Sequence, residues 1–400
     1  MYSRLHAWSR GLYLAGIVLA LVLVIPTAWF PFQLAKVAVF AVLLAVAAIL
    51  YVAGGGMREF LRSAGVWPTL AVVLLPVVYL VSTWVSPDSS VAWSGYAIDW
   101  DTVMFATLAA GAFILSSTLF RTQRTARLLF VTLFWALTAA ALFQCAAIVF
   151  GPSIPGGSFV DRSVNLVGKW NDLGLLASVL GIFVLVQLEL RRPSNLMRIG
   201  ICVLGVLIVA LLGFINFSVA WALVLVGSVA VGLFAFMTSR GEEGEAHHHA
   251  GSWSARIPWF AAAGVIVSVV FLIWGPLFNT GLTSVFPVSS LEVRPSYQTT
   301  QQAFSAVRQG SFSRVLIGMG PDTFGEIWLA QKPPEVNQSA FWSLDFNVGF
   351  STLATALGTV GFVGALAWIL PFLLVILAVL RLMRMSVLNR EDRAIGLALG

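Results

Sequence analysis

Apolar runs of about 20 residues, the length a helix needs to cross a bilayer, recur along the whole of this sequence. A chain built that way has far more apolar surface than one water-excluding core can absorb, so most of it must face lipid. Composition points the same way. Of the 400 residues 59% are hydrophobic and only 10% charged, where a soluble domain carries about a quarter charged residues. The fold class this implies is an all-α polytopic membrane protein.

Ten spans are predicted, near Leu12–Trp29, Leu34–Val52, Val66–Trp84, Thr102–Phe120, Leu128–Phe150, Leu173–Leu190, Ile199–Phe217, Val219–Met237, Ile257–Trp274 and Gly361–Leu380. The seventh and eighth are joined only by "INFSVAW". The first span lacks a small-residue cleavage site and reads as retained rather than as a signal peptide. Cys145 and Cys202 both fall inside apolar runs, which argues against a disulfide or a metal site. The closing "REDRAIGLALG" reads either as a tail or as the start of an eleventh span in a truncated chain.

Charge sets the expected orientation. Of the 23 basic residues, all but Lys36, Arg162, Lys169, Arg294, Arg308, Arg314 and Lys332 fall in one alternating set of short connections and termini. The positive-inside rule makes that set cytoplasmic, with both ends of a ten-span chain inside. Trp29, Trp67, Trp84, Trp100, Trp170, Trp259 and Trp274 sit near span ends, as an interfacial aromatic belt requires. The cytoplasmic run His247–His249 reads as a solvated loop, because three adjacent histidines cannot face one metal from a regular element.

Three parts follow: a nine-helix region over 1–275, a large outer loop over 276–345, and 346–400 with a surface helix, the last span and a tail. Ser86–Asp101 on the outer face is short and acidic, with Asp88, Asp99 and Asp101. In the large loop "SYQTTQQAFSAVRQG" has helical character with Gly310 to stop it, whereas "LIGMGPDTFGEIW" reads as turn and loop. "DFNVGFSTLATALG" reads as a short helix at the membrane surface.

The outer face is poor in positive charge, so the cations kept there against the topological bias are candidates for binding an anion. These are Arg162, Lys169, Arg294, Arg308 and Arg314, accompanied by Asn171, Asp172, Asp322, Asp345 and Asn347. A guanidinium fork grips two phosphate oxygens at once, and a lipid-linked pyrophosphate lies at headgroup level. Asp172 opens the sixth span, where a carboxylate also favours the positive helix end.

Taken in order, these pieces resemble the O-antigen ligase and O-antigen polymerase superfamily, over about Arg162 to Trp368. The likeness rests on Arg294, the "TTQQAFSAVRQG" helix, Gly318 and Gly320 with Phe324, then Asn347 with Gly358 and Gly361 entering the last span, and the earlier "NLVGKWNDLG". The resemblance implies a GT-C-like enzyme of the bacterial inner membrane with the large loop outside. It implies transfer of a glycan from undecaprenyl pyrophosphate to an acceptor hydroxyl on a lipid, protein or growing polysaccharide, with no cofactor. Arg294 matches the family's loop arginine; Arg162 and Lys169 match more loosely. The family's base is a His before the Asn, but here Phe346 precedes Asn347, and His6 and His247–His249 are all expected inside. Asp345 is the neighbouring candidate base, with a helix cap as its alternative role. The other functional classes are a lipid-linked oligosaccharide flippase, which almost charge-free spans argue against, and a non-catalytic glycan-lipid-binding protein.

Overall fold

A computed structural model describes residues 2–24, 32–63, 65–95, 99–151, 165–168, 170–191, 193–241, 258–287, 294–308, 311–338 and 345–384. Among them no strand occurs. In chain order the helices are α1 (Tyr2–Val22), α2 (Phe32–Ala53), α3 (Gly56–Ser63), α4 (Val66–Thr83), α5 (Ser89–Ser94), α6 (Val103–Leu119), α7 (Gln123–Phe150), α8 (Trp170–Leu190), α9 (Asn195–Ile215), α10 (Ser218–Gly241) and α11 (Trp259–Val285). The large loop and last span hold α12 (Tyr297–Arg308), α13 (Phe312–Ile317), α14 (Phe324–Gln331), α15 (Thr352–Thr359) and α16 (Gly361–Arg384).

Nine of these helices are long and apolar enough to cross a membrane. The protein is an all-α multi-pass membrane protein. The remaining expected span is α6, 17 apolar residues, which at 1.5 Å per residue covers only about 26 Å. Helix α11 runs through Pro276 to Val285, so the large loop opens later than the sequence suggests. The tight hairpin between α9 and α10 is real: Asn216 closes α9 in the left-handed region, φ 48°, which asparagine tolerates better than other side chains.

The chain divides into two compact units. One comprises Met1–Gly16, Trp29–Arg121 and Val293–Leu377. Here the Ser9 hydroxyl donates to the Ala47 carbonyl at 2.7 Å and Tyr13 to that of Ala112 at 3.0 Å, tying α1 to α2 and α6. The loop helices have their own aromatic core. Phe304 meets Phe324 edge-on at 5.4 Å, and Trp328 meets Phe346 edge-on at 5.0 Å.

The other unit comprises Ile17–Ala28, Thr122–Glu292 and Ala378–Gly400. Helix α8 is its centre, with 61% of the span buried. The Trp221 ring stacks on Phe271 at 4.3 Å, and the Ser178 hydroxyl lies 3.0 Å from the Ala220 carbonyl. Glu189 accepts the Phe260 and Ala261 N–H groups that open α11, where a carboxylate meets the positive helix end. Trp170 lies buried in this core, so it is a packing residue and not part of an aromatic belt. Trp67, Trp84, Trp259 and Trp274 are exposed.

Candidate functional site: a carboxylate cluster where the loop meets the spans

The site begins at a glycine turn. Gly318 (φ 81°), Gly320 (φ 115°) and Gly361 (φ 72°) all take positive φ, which a side chain would strain. A Cβ on Gly318 would lie 2.6 Å from the Gly361 nitrogen and collide with the Thr359 carbonyl. Without one, the two stretches pair: Met319 N–H donates to Gly358 O at 3.1 Å and Gly320 N–H to Thr359 O at 2.8 Å. Ser82, near the end of α4, donates to Ile317 O at 2.7 Å. The turn is thereby fastened to the ends of α4 and α15.

This joint delivers Asp322, itself at φ 59°, to the α5–α6 connection. The Asp322 N–H donates to Asp101 Oδ2 at 3.4 Å. Tyr79 of α4 donates its hydroxyl to Asp101 Oδ1 at 2.8 Å, and Trp368 of α16 donates its indole N–H to Tyr79 Oη at 3.0 Å. The Thr359 side chain completes the hydrogen bonds at this carboxylate. Gly95 leaves room beside them: a Cβ there would collide with Asp99 Oδ2 and lie 2.8 Å from Asp322 Oδ2. Asp88, the third acid of that connection, is instead the N-cap of α5, accepting from Ser90 N–H at 2.8 Å.

Electrostatics separate the two central carboxyls, which lie just outside the spans. Burial pushes Asp101 up to about 6, opposed by its hydrogen bonds from Thr359, Tyr79 and the Asp322 N–H. Burial, then the negative charges of Asp99, Asp101 and Glu326, push Asp322 up to about 8. Both carboxyls are thus held above the ordinary carboxylate range, Asp322 the more strongly because three other acids face it. Two carboxyls driven apart in this way can work as an acid and a base. Among the described residues no group of three or more His, Cys, Asp or Glu side chains is set to hold a metal ion.

The candidate residues of the sequence are distributed as follows. Arg162 and Lys169 lie outside the described residues. Asn171 and Asp172 are half-buried in the first turn of α8, in the unit centred on that helix. Asn165, just upstream, is buried and folds its own loop by accepting from Val167 and Gly168 N–H. Arg294 is half-buried immediately before α12. Arg308 donates to the Leu357 carbonyl at 2.5 Å and covers the Phe304 ring at 5.5 Å, so it ties α12 to α15. Arg314 is exposed on α13. Gly318 and Gly320 form the joint.

Asp345 and Asn347 are exposed in irregular chain. Asp345 is no helix cap, because the following helix starts at Thr352 and is capped by the Ser351 side chain, which accepts from Ala354 N–H at 3.1 Å. That helix, α15, carries buried Ala354, Thr355, Ala356, Gly358 and Thr359, so one face of it packs into the loop region. The stretch read as turn and loop from Leu316 to Trp328 is irregular only from Gly318 to Thr323; its first two residues end α13 and from Phe324 it is helix.

The spans hold a second feature. Helices α8 to α11 line a half-open apolar groove of about 380 Å³, whose lining includes Gly181, Gly205, Trp221 and Gly264.

Tyr79, Thr359 and Trp368 are not marked out in the sequence, since a Tyr or Trp in an apolar run carries no sign of function. Asp99, Asp101 and Asp322 are visible there only as members of two acidic stretches. Compared with models of protein families, with curated proteins and with solved structures, the chain matches none.

Proposed function

We infer that this protein is a membrane glycosyltransferase that moves a glycan from a polyprenyl-pyrophosphate donor to an acceptor hydroxyl at the loop end of its spans. One observation carries the reading. The Gly318–Gly320 turn and the Gly358–Gly361 stretch, two pieces of the O-antigen ligase-like pattern, form one hydrogen-bonded joint. That joint holds Asp322 against Asp101.

In the reaction the acceptor oxygen bonds to the anomeric carbon as the carbon–oxygen bond to pyrophosphate breaks. Polyprenyl pyrophosphate leaves with the electron pair, and the acceptor proton passes to a carboxylate. The Asp101–Asp322 pair takes the place of the family's His as that base, with the half-buried Asp322 facing the acceptor and the buried Asp101 positioning it through the Asp322 N–H. Arg294 serves the pyrophosphate, whose charge rises as the bond breaks, so its effect is largest in the transition state.

The test uses membranes containing the protein and a radiolabelled undecaprenyl-pyrophosphate oligosaccharide. Release of free undecaprenyl pyrophosphate, with the label passing to another molecule, is the expected result. It should fall at least tenfold in Asp101→Asn and in Arg294→Ala. Normal transfer by Arg294→Ala removes that residue from the site, and label crossing the bilayer with its pyrophosphate bond intact makes the protein a flippase.

A second reading, a non-catalytic glycan-lipid-binding protein, is favoured by one packing fact. The position before Asn347 is Phe346, buried edge-on against Trp328 at 5.0 Å. Binding of the labelled donor without release of undecaprenyl pyrophosphate selects this reading.

A further inference from the structure

Helix α13 is six residues long and buries none of them. Phe312 is 77% exposed and Val315 39%; three residues apart, they share one helix face. In water such a face would be a liability, so its depth decides its meaning.

That depth is fixed at the C-terminal end. Ile317 O accepts from Ser82, next to last in the span Val66–Thr83. The residues that follow pair with Gly358 and Thr359, just before the span that starts at Gly361. Helix α13 therefore ends where two spans reach the bilayer boundary. At 1.5 Å per residue, Phe312 is at most about 8 Å from that level whichever way the helix points. The headgroup layer is itself roughly 5–8 Å thick. Phe312 therefore lies within that layer or at its edge. Trp84 after α4 and Phe362 and Val363 at the start of α16 are exposed as well, next in sequence to the span ends that set this level.

We propose that α13 is an interfacial helix that docks the large loop onto the bilayer, with Phe312 and Val315 in the acyl-chain boundary and Arg314 among the phospholipid phosphates. An aromatic ring and a long cation are the side chains that suit such a boundary, one end apolar and the other wet. The loop is then held down at α13, and the joint that carries Asp322 opens directly onto headgroup level. This docking is independent of glycan transfer.

The experiment places one nitroxide label at position 312 (Phe312→Cys) in full-length protein with Cys145→Ala and Cys202→Ala, reconstituted in phosphatidylethanolamine and phosphatidylglycerol vesicles. Collision rates with oxygen and with a water-soluble nickel chelate are compared with labels at Ile376→Cys, on the exposed face of α16, and Glu335→Cys, exposed in the loop. The oxygen-to-nickel ratio at 312 should lie several-fold above that at 335 and approach that at 376. A ratio equal to that at 335 overturns the proposal, and so does shielding from both reagents, which would mean protein contact. Val315→Cys provides a second variant, expected to give the same high ratio.

Discussion

The Tyr79 hydroxyl donates at 2.8 Å to Asp101 Oδ1 while accepting the Trp368 indole N–H at 3.0 Å. Two spans and the connection before α6 thus meet on one phenol. Both Tyr79 and Asp101 are almost wholly buried, so each polar atom depends on the others for the hydrogen bonds it would otherwise make with water.

Replacing Tyr79 by Phe leaves a buried carboxylate short of a donor and the Trp368 N–H without its acceptor. The expected loss is about 1–3 kcal/mol, read as a lower unfolding midpoint in detergent. Trp368→Phe removes a donor from the phenol but leaves the carboxylate's bond intact, and should cost less.

Asp322 sets a pH dependence. Its carboxyl is raised to about 8 in the folded protein, against roughly 4 in an unfolded chain. Between those values the folded state holds a proton that the unfolded state has released. Its contribution therefore falls as pH rises from about 4 to about 8 and is level beyond. Asp101, raised to about 6, acts in the same sense over the lower part of that range. Asp322→Asn should flatten the drop in unfolding midpoint measured between pH 6 and pH 9. An unchanged slope would show that the proton sits elsewhere.

Gly318→Ala forces a Cβ into the Thr359 carbonyl at a φ of 81°. The cost should be about 2–4 kcal/mol, with faster proteolysis within 311–338. The matched control is Gly281, inside α11, where an added Cβ would meet nothing within 4 Å. Gly281→Ala should be neutral or slightly stabilising.

Arg308→Ala separates packing from anion binding. Its guanidinium caps Leu357 O and covers Phe304, so the change should lower stability by about 1–2 kcal/mol. Donor affinity at a temperature well below unfolding should stay within about twofold. Arg294→Ala is expected to reduce transfer at a temperature well below unfolding.

Span positions followed from local content: whether 20 successive residues prefer lipid is a sum over those residues, and neither α7–α11 nor α16 needed a distant partner to be found. The helix ending at Arg308 and the Gly318–Gly320 turn were equally readable, because a Gly-x-Gly-Pro run cannot continue a helix. The site was not. The cations expected on the outer face stand out in the sequence because that placement would defy the sorting rule, yet Arg308 is a tie between helices and Asp345 is exposed.

Membership of a bilayer, and the order of the long apolar helices along the chain, came from amino-acid content alone, since burial in lipid acts residue by residue. Which carboxyl faces which came only from folding: Asp101 and Asp322 stand 221 residues apart and Tyr79 and Trp368 289. No local preference spans such distances. They are closed by a turn whose missing side chains let two backbones touch, and that contact brings the two acids together.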